Sequence, residues 1–356
     1  MTTTAVETSE SSRDIASSWR LVGIVLLCVR FVQGWIYWGG GSRRFIYAPS
    51  KLDPSNHTWM ANKFQTAMPG ALLGMDHVIS YLLQHFSLLY ASMVIVSAVE
   101  LIAGLFLMAG FLTRISALAS IGLSVSLMLM FGWQGATCID EWTMAAANFG
   151  MGAALLIGGA GAYSVDSWLL KKPGISNSCW FKWIGSGALP EKIIEPFGKV
   201  LLAITVVFVV LTYSYYRGSV IGPFHGGPTS PTKHHVSLDN VTLRGDGAVS
   251  FHAYLDAGSP DVPAHIIKIV LHAADKTPVE TWTGAQLAAL DKGDFVNDYA
   301  YNQFKPGLVS IQAEVGAKAT ISLPAVNQNM VIQPGSYTLE AVTIDGKKST
   351  APVVLN

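Results

Sequence analysis

The stretch that most constrains this chain is residues 99–114, VELIAGLFLMAGFLTR, which closes one apolar run and opens the next. From residue 86 to residue 110 the sequence is almost free of charge except for Glu100. At ~1.5 Å per residue, a helix of this length crosses a hydrocarbon core of ~30 Å with some tilt. Only residues 110–113 precede Arg114 and a second apolar run to Trp133, so the two predicted helices are antiparallel neighbours. The centre of the chain therefore reads as a membrane hairpin that carries a carboxylate.

Composition agrees. Charged residues make up 13% of the chain, against ~25% in ordinary soluble domains, and the mean hydropathy is +0.39. The 23 basic and 23 acidic residues cancel, which leaves no electrostatic case for a nucleic-acid partner. Three cysteines, Cys28, Cys138 and Cys179, are scattered and form no CxxC, zinc or haem-attachment spacing. No GxGxxG follows a predicted strand, so no bound dinucleotide is indicated.

In chain order, residues 1–18 are polar, Ser/Thr-rich and expected to be disordered. Residues 19–38 form a first hydrophobic helix interrupted by Arg30 and Gln33; it is too long, and flanked wrongly, for a cleaved signal peptide. The connection after it starts at a triple glycine, read as flexible. Within it, residues 71–85 place Leu72, Met75, Ile79, Leu82 and Leu83 on one helical face, which predicts a helix lying on the membrane surface. After the hairpin, a fourth helix over 142–163 is crowded with Ala and Gly, as suits a tightly packed bundle centre. Residues 19–170 are thus a four-helix membrane domain, 171–195 a cytoplasmic connection, and 196–216 a fifth, anchoring helix that ends in a tyrosine cluster.

Beyond a Gly/Pro linker over 217–233, residues 234–356 alternate in short runs separated by turns such as Gln333-Pro334-Gly335 and Asp345-Gly346. This pattern predicts an all-β sandwich of immunoglobulin-like type. The basic residues near helix ends favour an N-terminus inside the cell: Arg13, Arg20, Arg114, Lys171, Lys172, Lys182, Lys192 and Lys199 against Arg43, Arg44, Lys51, Lys63 and Arg217. The sandwich then lies outside the cytoplasm, on a multi-pass protein of the cell (inner) membrane.

Several motifs carry a family resemblance. Arg30 with Gly34, Glu100 with Gly104, the turn Gly110-Phe111-Leu112-Thr113-Arg114, and Gly159-Ala160-Gly161-Ala162-Tyr163-Ser164-Val165-Asp166 resemble the DoxX/DoxD membrane proteins. The segments Tyr301-Asn302-Gln303-Phe304-Lys305-Pro306-Gly307, Val315-Gly316-Ala317-Lys318-Ala319 and Ile321-Ser322-Leu323-Pro324 are similar to the DoxA subunit. The resemblance implies a fused thiosulfate:quinone oxidoreductase that oxidises two thiosulfate anions to tetrathionate and passes two electrons to a quinone. Its partners would be lipid, thiosulfate and quinone, with room for a homo-oligomer. A second reading is a non-catalytic membrane scaffold whose outer sandwich docks a redox partner.

Candidate site residues emerge from charge and depth. Arg30 and Glu100 each lie ten residues from the predicted inner face, ~15 Å deep. A buried pair serving a quinone or a proton relay, or else a structural clasp, is expected. Gln33 and Asn148 come somewhat nearer the outer face, as hydrogen-bonding groups for a quinone or as interhelical contacts. A dianionic substrate needs fixed positive charge, and Arg43 and Arg44 offer paired donors on the outer side. Cys138 faces the same compartment and could form a thiosulfonate adduct, with Asp140 or Glu141 as proton acceptor. In the tail, His252, His265, His272 and Lys268 are an alternative anion or copper site, although the lack of a tail cysteine excludes a thiolate copper centre. No metal site is otherwise indicated.

The orientation is directly testable. A reporter fused after Asn356 is expected to report an extracytoplasmic position, and one inserted near Lys172 a cytoplasmic one; the opposite pattern reverses the assignment.

Overall fold

The computed structural model describes residues 18, 21–47, 49–56, 58–134, 141–176, 178–217, 228–327 and 331–355. Its helices are α1 Leu27–Phe45, α2 Met60–Ala67, α3 Met75–Gln84, α4 Phe86–Ala109, α5 Thr113–Phe131, α6 Glu141–Gly158, α7 Val165–Leu169, α8 Pro173–Ser176, α9 Cys179–Ile184, α10 Glu191–Arg217 and α11 Gly284–Ala288. The strands are β1 His235–Leu243, β2 Val249–Ala257, β3 Ala264–Ala273, β4 Pro278–Thr283, β5 Phe295–Asn297, β6 Lys305–Pro306, β7 Ile311–Ala313, β8 Lys318–Leu323, β9 Gly335–Thr343 and β10 Lys348–Leu355. A helical N-terminal region is succeeded by an all-β region, as the sequence predicts. The chain divides into two compact units. One is drawn from Met1–Asn56, Tyr90–Leu129 and Glu141–Phe224, the other from His57–Leu89, Met130–Asp140 and His225–Asn356.

Phe86–Ala109, Thr113–Phe131 and Lys192–Tyr216, which fall mainly in the first unit, are long and apolar enough to cross a membrane. Their exposed residues include Ile95, Ile102 and Leu105 on α4, and Val200, Leu202, Val207 and Leu211 on α10. An apolar surface of that extent suits lipid rather than water. Inside the bundle, Tyr37, Leu107, Ala117 and Leu155 of four helices form a common buried core. Helix α5 turns Ser116, Ser120 and Ser124 inward, each hydroxyl bonded to a carbonyl three or four residues back, for Ser116 that of Leu112 just before the helix. Such small residues let neighbouring backbones approach closely; a Cβ on Gly152 of α6 would come within 2.7 Å of Ser120 Oγ.

The first helix departs from expectation. Residues 21–25 are helical, Leu26 is a turn, and α1 then runs from Leu27 straight through Gly39, Gly40 and Gly41 to Phe45. Gly40 and Gly41 are there for packing, whereas a Cβ on Gly39 would meet nothing within 4 Å. A Cβ on Gly41 would lie 2.8 Å from the backbone of Leu101, and one on Gly104 2.4 Å from the Trp38 amide nitrogen. Gly40 and Gly41, in the triple glycine read as a flexible break, are thus on the face along which α1 lies against α4.

In the second unit, one sheet has the order β1-β2-β8-β5 and the other β10-β9-β3-β7-β6, with β4 also on β3. All pairings are antiparallel. Burial alternates along β2, β8 and β10, so each sheet has one covered face. Phe251, Leu255, Ile321, Leu271, Leu339 and Val353 fill that core. Strand β4 escapes sequence reading because it opens on Pro278 and mixes polar with apolar residues. It is held on β3 from Lys268 opposite Thr283 to His272 opposite Pro278.

Helices α2 and α3 belong to this β-containing unit. On α3, Ile79 and Leu83 are buried by protein, and Ser80 Oγ is 2.7 Å from Tyr299 Oη. The amphipathic 71–85 face, expected on a membrane surface, is thus covered by protein. The join is a buried clasp. Gln65 Nε2 donates to the carbonyls of Asn302 and Gly316, both at 2.9 Å, while its Oε1 accepts from the Asn302 amide at 2.9 Å. Asn302 Nδ2 donates in turn to Thr66 Oγ1 at 2.9 Å and to the Val315 carbonyl at 2.7 Å. Gln65 is fully buried and Asn302 is 1% exposed. Gly316 has φ +87°, and a Cβ there would fall 2.0 Å from the Gln65 carbonyl oxygen. Trp59 adds an edge-on ring contact with Tyr301 at 4.9 Å.

Removing this clasp leaves buried backbone groups unpaired, at ~1–3 kcal/mol each. Gln65→Ala and Gly316→Ala are each expected to destabilise the β-containing unit by ~2–4 kcal/mol, read as a lower thermal midpoint, whereas Gln303→Ala outside the clasp leaves it within ~0.5 kcal/mol.

Candidate functional site

The helical unit is organised around buried charge. Helix α5 begins at Thr113, and its first amide groups need acceptors. Asp166, from the first turn of α7, supplies them: its Oδ1 accepts from the Leu112 amide at 2.9 Å and its Oδ2 from the Thr113 amide at 3.1 Å and the Thr113 hydroxyl at 2.8 Å. The Ser186 hydroxyl donates to the same oxygen at 2.8 Å. Asp166 is fully buried. Arg114, 2% exposed, donates to the carbonyls of Leu156 at 2.9 Å and of Ile157 and Gly187 at 3.0 Å, and also to that of Lys182. Arg30 donates from Nη1 to the Ala160 carbonyl at 2.6 Å and from Nη2 to the Tyr163 carbonyl at 3.0 Å. Both guanidinium groups feel the Asp166 charge. The turn and the Gly159–Asp166 stretch therefore form one structural lock. Sequence reasoning missed Asp166 and Arg114 as charge-bearing centres; their short motif spacing to glycines was the available signal.

The expected Arg30–Glu100 pair does not form. Glu100 pairs with Arg44, each side chain about one-sixth exposed, while Arg30 Nη1 lies 2.8 Å from where a Gly110 Cβ would stand. The depth count failed because α1 continues through the glycines to Phe45, which shifts its register against α4 by about three turns. Glu100 is consequently level with Gly40, whose Cβ would meet its Oε1. Nor do Arg43 and Arg44 make a joint oxyanion clamp: Arg44 is engaged by Glu100, and exposed Arg43 turns its Nε to the Gly39 carbonyl at 2.8 Å.

Gln33 and Asn148 do come together. Gln33 Nε2 donates to the Asn148 carbonyl at 2.7 Å and to Ser120 Oγ at 3.1 Å, and Asn148 Nδ2 donates to the Met144 carbonyl at 3.0 Å. Tyr37 Oη donates to the Ser120 carbonyl at 2.9 Å and lies 3.0 Å from Ser124 Oγ. Both amides are almost wholly buried. Among the described residues, Gln33 Oε1 and Asn148 Oδ1 have no hydrogen-bond partner. Two orphaned acceptors in one cluster can receive hydroxyl or water protons; they offer nothing to a bare carbonyl.

Cys138 and Asp140 lie outside the described residues. Glu141 is the first residue of α6, where a carboxylate suits the positive end of the helix. The tail histidines are separated. His252 bridges Asp239 and Asp298, each at 3.1 Å. His265 Nδ1 faces Ser310 Oγ at 3.3 Å, and His272 faces Glu340 at 3.8 Å. Lys268 is exposed on β3.

The β-containing unit holds a cavity of about 280 Å³ lined by Met68, Pro69, Ala71, Asp76, His77, Ser80, Tyr254 and Lys318. Lys318 Nζ stands 4.4 Å from the centroid of the Tyr254 ring. Burial, aided by Asp256, Tyr299 and Asp76, pushes the Tyr254 hydroxyl well above its ordinary range, so it stays a donor. Sequence reading had no route to this cavity, because one wall comes from residues 68–80 and the other from Tyr254 and Lys318.

The observed pairing makes a clear energetic prediction. Arg44→Ala and Glu100→Ala are each expected to cost ~1–3 kcal/mol by leaving a partly buried charge unmatched, and the double change less than their sum. Arg30→Ala combined with Glu100→Ala is expected to be additive in the same thermal unfolding cycles.

Comparison with known families accounts for both regions. Residues 25–194 match the family described as TQO small subunit DoxD, and residues 216–352 the family described as TQO small subunit DoxA. The DoxD match contains Arg30, Glu100, Arg114 and Asp166, together with α2 and α3; the DoxA match contains Asn302, Gly316 and Lys318. The chain belongs to the DoxD and DoxA families of thiosulfate:quinone oxidoreductase small subunits, joined in one polypeptide.

Proposed function

We propose that this chain is a membrane thiosulfate:quinone oxidoreductase that converts two thiosulfate dianions into one tetrathionate dianion. Joining the two sulfane sulfurs releases two electrons, which with two protons reduce a quinone to its quinol. The observation that carries this reading is the presence of both small-subunit families in a single chain. The positive-inside count supports an extracytoplasmic β-region and a cytoplasmic N-terminus.

Within the helical unit, Gln33 and Asn148 suit the quinone end of the reaction. Gln33 Nε2 is committed to two acceptors, so its amide cannot be turned to relieve Oε1. The orphaned oxygens therefore favour the hydroxyls of a quinol over the carbonyls of a quinone, which would pull binding toward the reduced product. Tyr37 and Ser124 extend the same hydrogen-bonded group along α1 and α5 and could pass protons to it. Glu100, held by Arg44, is the carboxylate that α4 offers to a proton relay.

The purified full chain in lipid nanodiscs, given thiosulfate and a short-chain quinone, is expected to bleach the quinone absorbance with two thiosulfates consumed per quinone. Gln33→Leu, which keeps volume but removes the acceptor, is expected to slow that rate about tenfold. A protein that binds both compounds without turnover would instead be the docking scaffold.

A further inference from the structure

The cavity at Lys318 contains the features of an anion site and has no part in the quinone end. Among the described residues no carboxylate pairs with Lys318. Its ammonium lies over the Tyr254 ring, and an aromatic face attracts a cation without neutralising it. The lysine is held in position: it opens β8, two residues after Gly316, whose backbone is locked beneath Gln65. Also on the lining are Ser80, whose hydroxyl shares a hydrogen bond with Tyr299, and Tyr254, whose hydroxyl is kept protonated by burial.

The opposite wall is the first turn of α3, with Asp76 and His77. The dipole of that turn favours negative charge. Asp76 is the one negative group on the lining, and the His77 ring stands 3.8 Å from it. A single water needs only ~10–15 Å³ of such space; the cavity is far larger and takes a tetrahedral oxyanion with part of its hydration.

We propose that this cavity binds a small sulfur oxyanion of the thiosulfate class, with Lys318 as its charged anchor and Tyr254 as hydroxyl donor. The choice of thiosulfate as natural ligand rests on the proposed oxidoreductase activity; the cavity's preference for a small divalent oxyanion does not. Binding here is noncovalent and precedes any electron transfer.

The test uses the full chain in detergent without quinone, titrated calorimetrically with thiosulfate and, separately, with sulfate. Lys318→Met keeps the apolar contact with Tyr254 and removes the charge; it is expected to weaken thiosulfate binding at least about tenfold. Lys318→Arg is expected to stay within about threefold of the parent, and Tyr254→Phe to lose about threefold to tenfold. Thermal midpoints are recorded for each, and the arginine variant separates loss of charge from loss of fold. Parent-like thiosulfate binding by Lys318→Met overturns the site and leaves the proposed activity standing. Binding of either anion through Lys318, in a parent chain that never reduces quinone, keeps the site and overturns the activity. A parent chain that binds neither anion overturns the site.

Discussion

The close approach of α1 to α4 fixes most of the arrangement of the helical unit. Gly34, Gly41 and Gly104 remove the side chains that would hold the two backbones apart, and in an apolar surrounding that contact is a main source of helix association. Once the glycines meet, the register is set. Arg44 comes level with Glu100, Arg30 is carried to the Gly110 end, and Gln33 reaches Asn148. A slip of one turn would strand Glu100 away from its partner, at a cost of several kcal/mol for an unmatched buried charge.

A second constraint governs how the chain handles its polar groups. Asp166 accepts four hydrogen bonds and Arg114 donates to four carbonyls, so these centres are satisfied and structural. Gln65 does the same for the β-containing unit. Among the described residues, buried polar atoms without a partner occur in both units, and two of them share one helical cluster. Gln33 Oε1 and Asn148 Oδ1 lack donors, and among the described residues Lys318 has no carboxylate counter-ion. Native proteins leave few such groups without a reason, which is why the proposed chemistry is placed on them.

The families meet within one folded unit. Helices α2 and α3 lie in the DoxD match, yet they are clasped by the loops at Asn302 and Gly316 of the DoxA match. The motif segments 301–307 and 315–319 are thus partly explained by assembly. Their glycine, asparagine and lysine serve, respectively, close approach, backbone capture and charge at the cavity wall.

Apolar length by itself determined the membrane helices at 86–109 and 113–131, because a charge-poor run of that size has no other stable home, and alternation with turn chemistry determined the β-region. The same local rules located Gln33 and Asn148 on facing helices. They missed the continuation of α1 through Gly39–Gly41, since glycine is a poor helix former in isolation and only the neighbouring α4 rewards it. They likewise set 71–85 on a membrane, because an amphipathic face shows that something covers it without showing what. Which charge meets which, and which lysine is left bare, were decided by tertiary structure alone: pairing energies depend on short distances between residues 56 to 251 positions apart, and no local pattern encodes them.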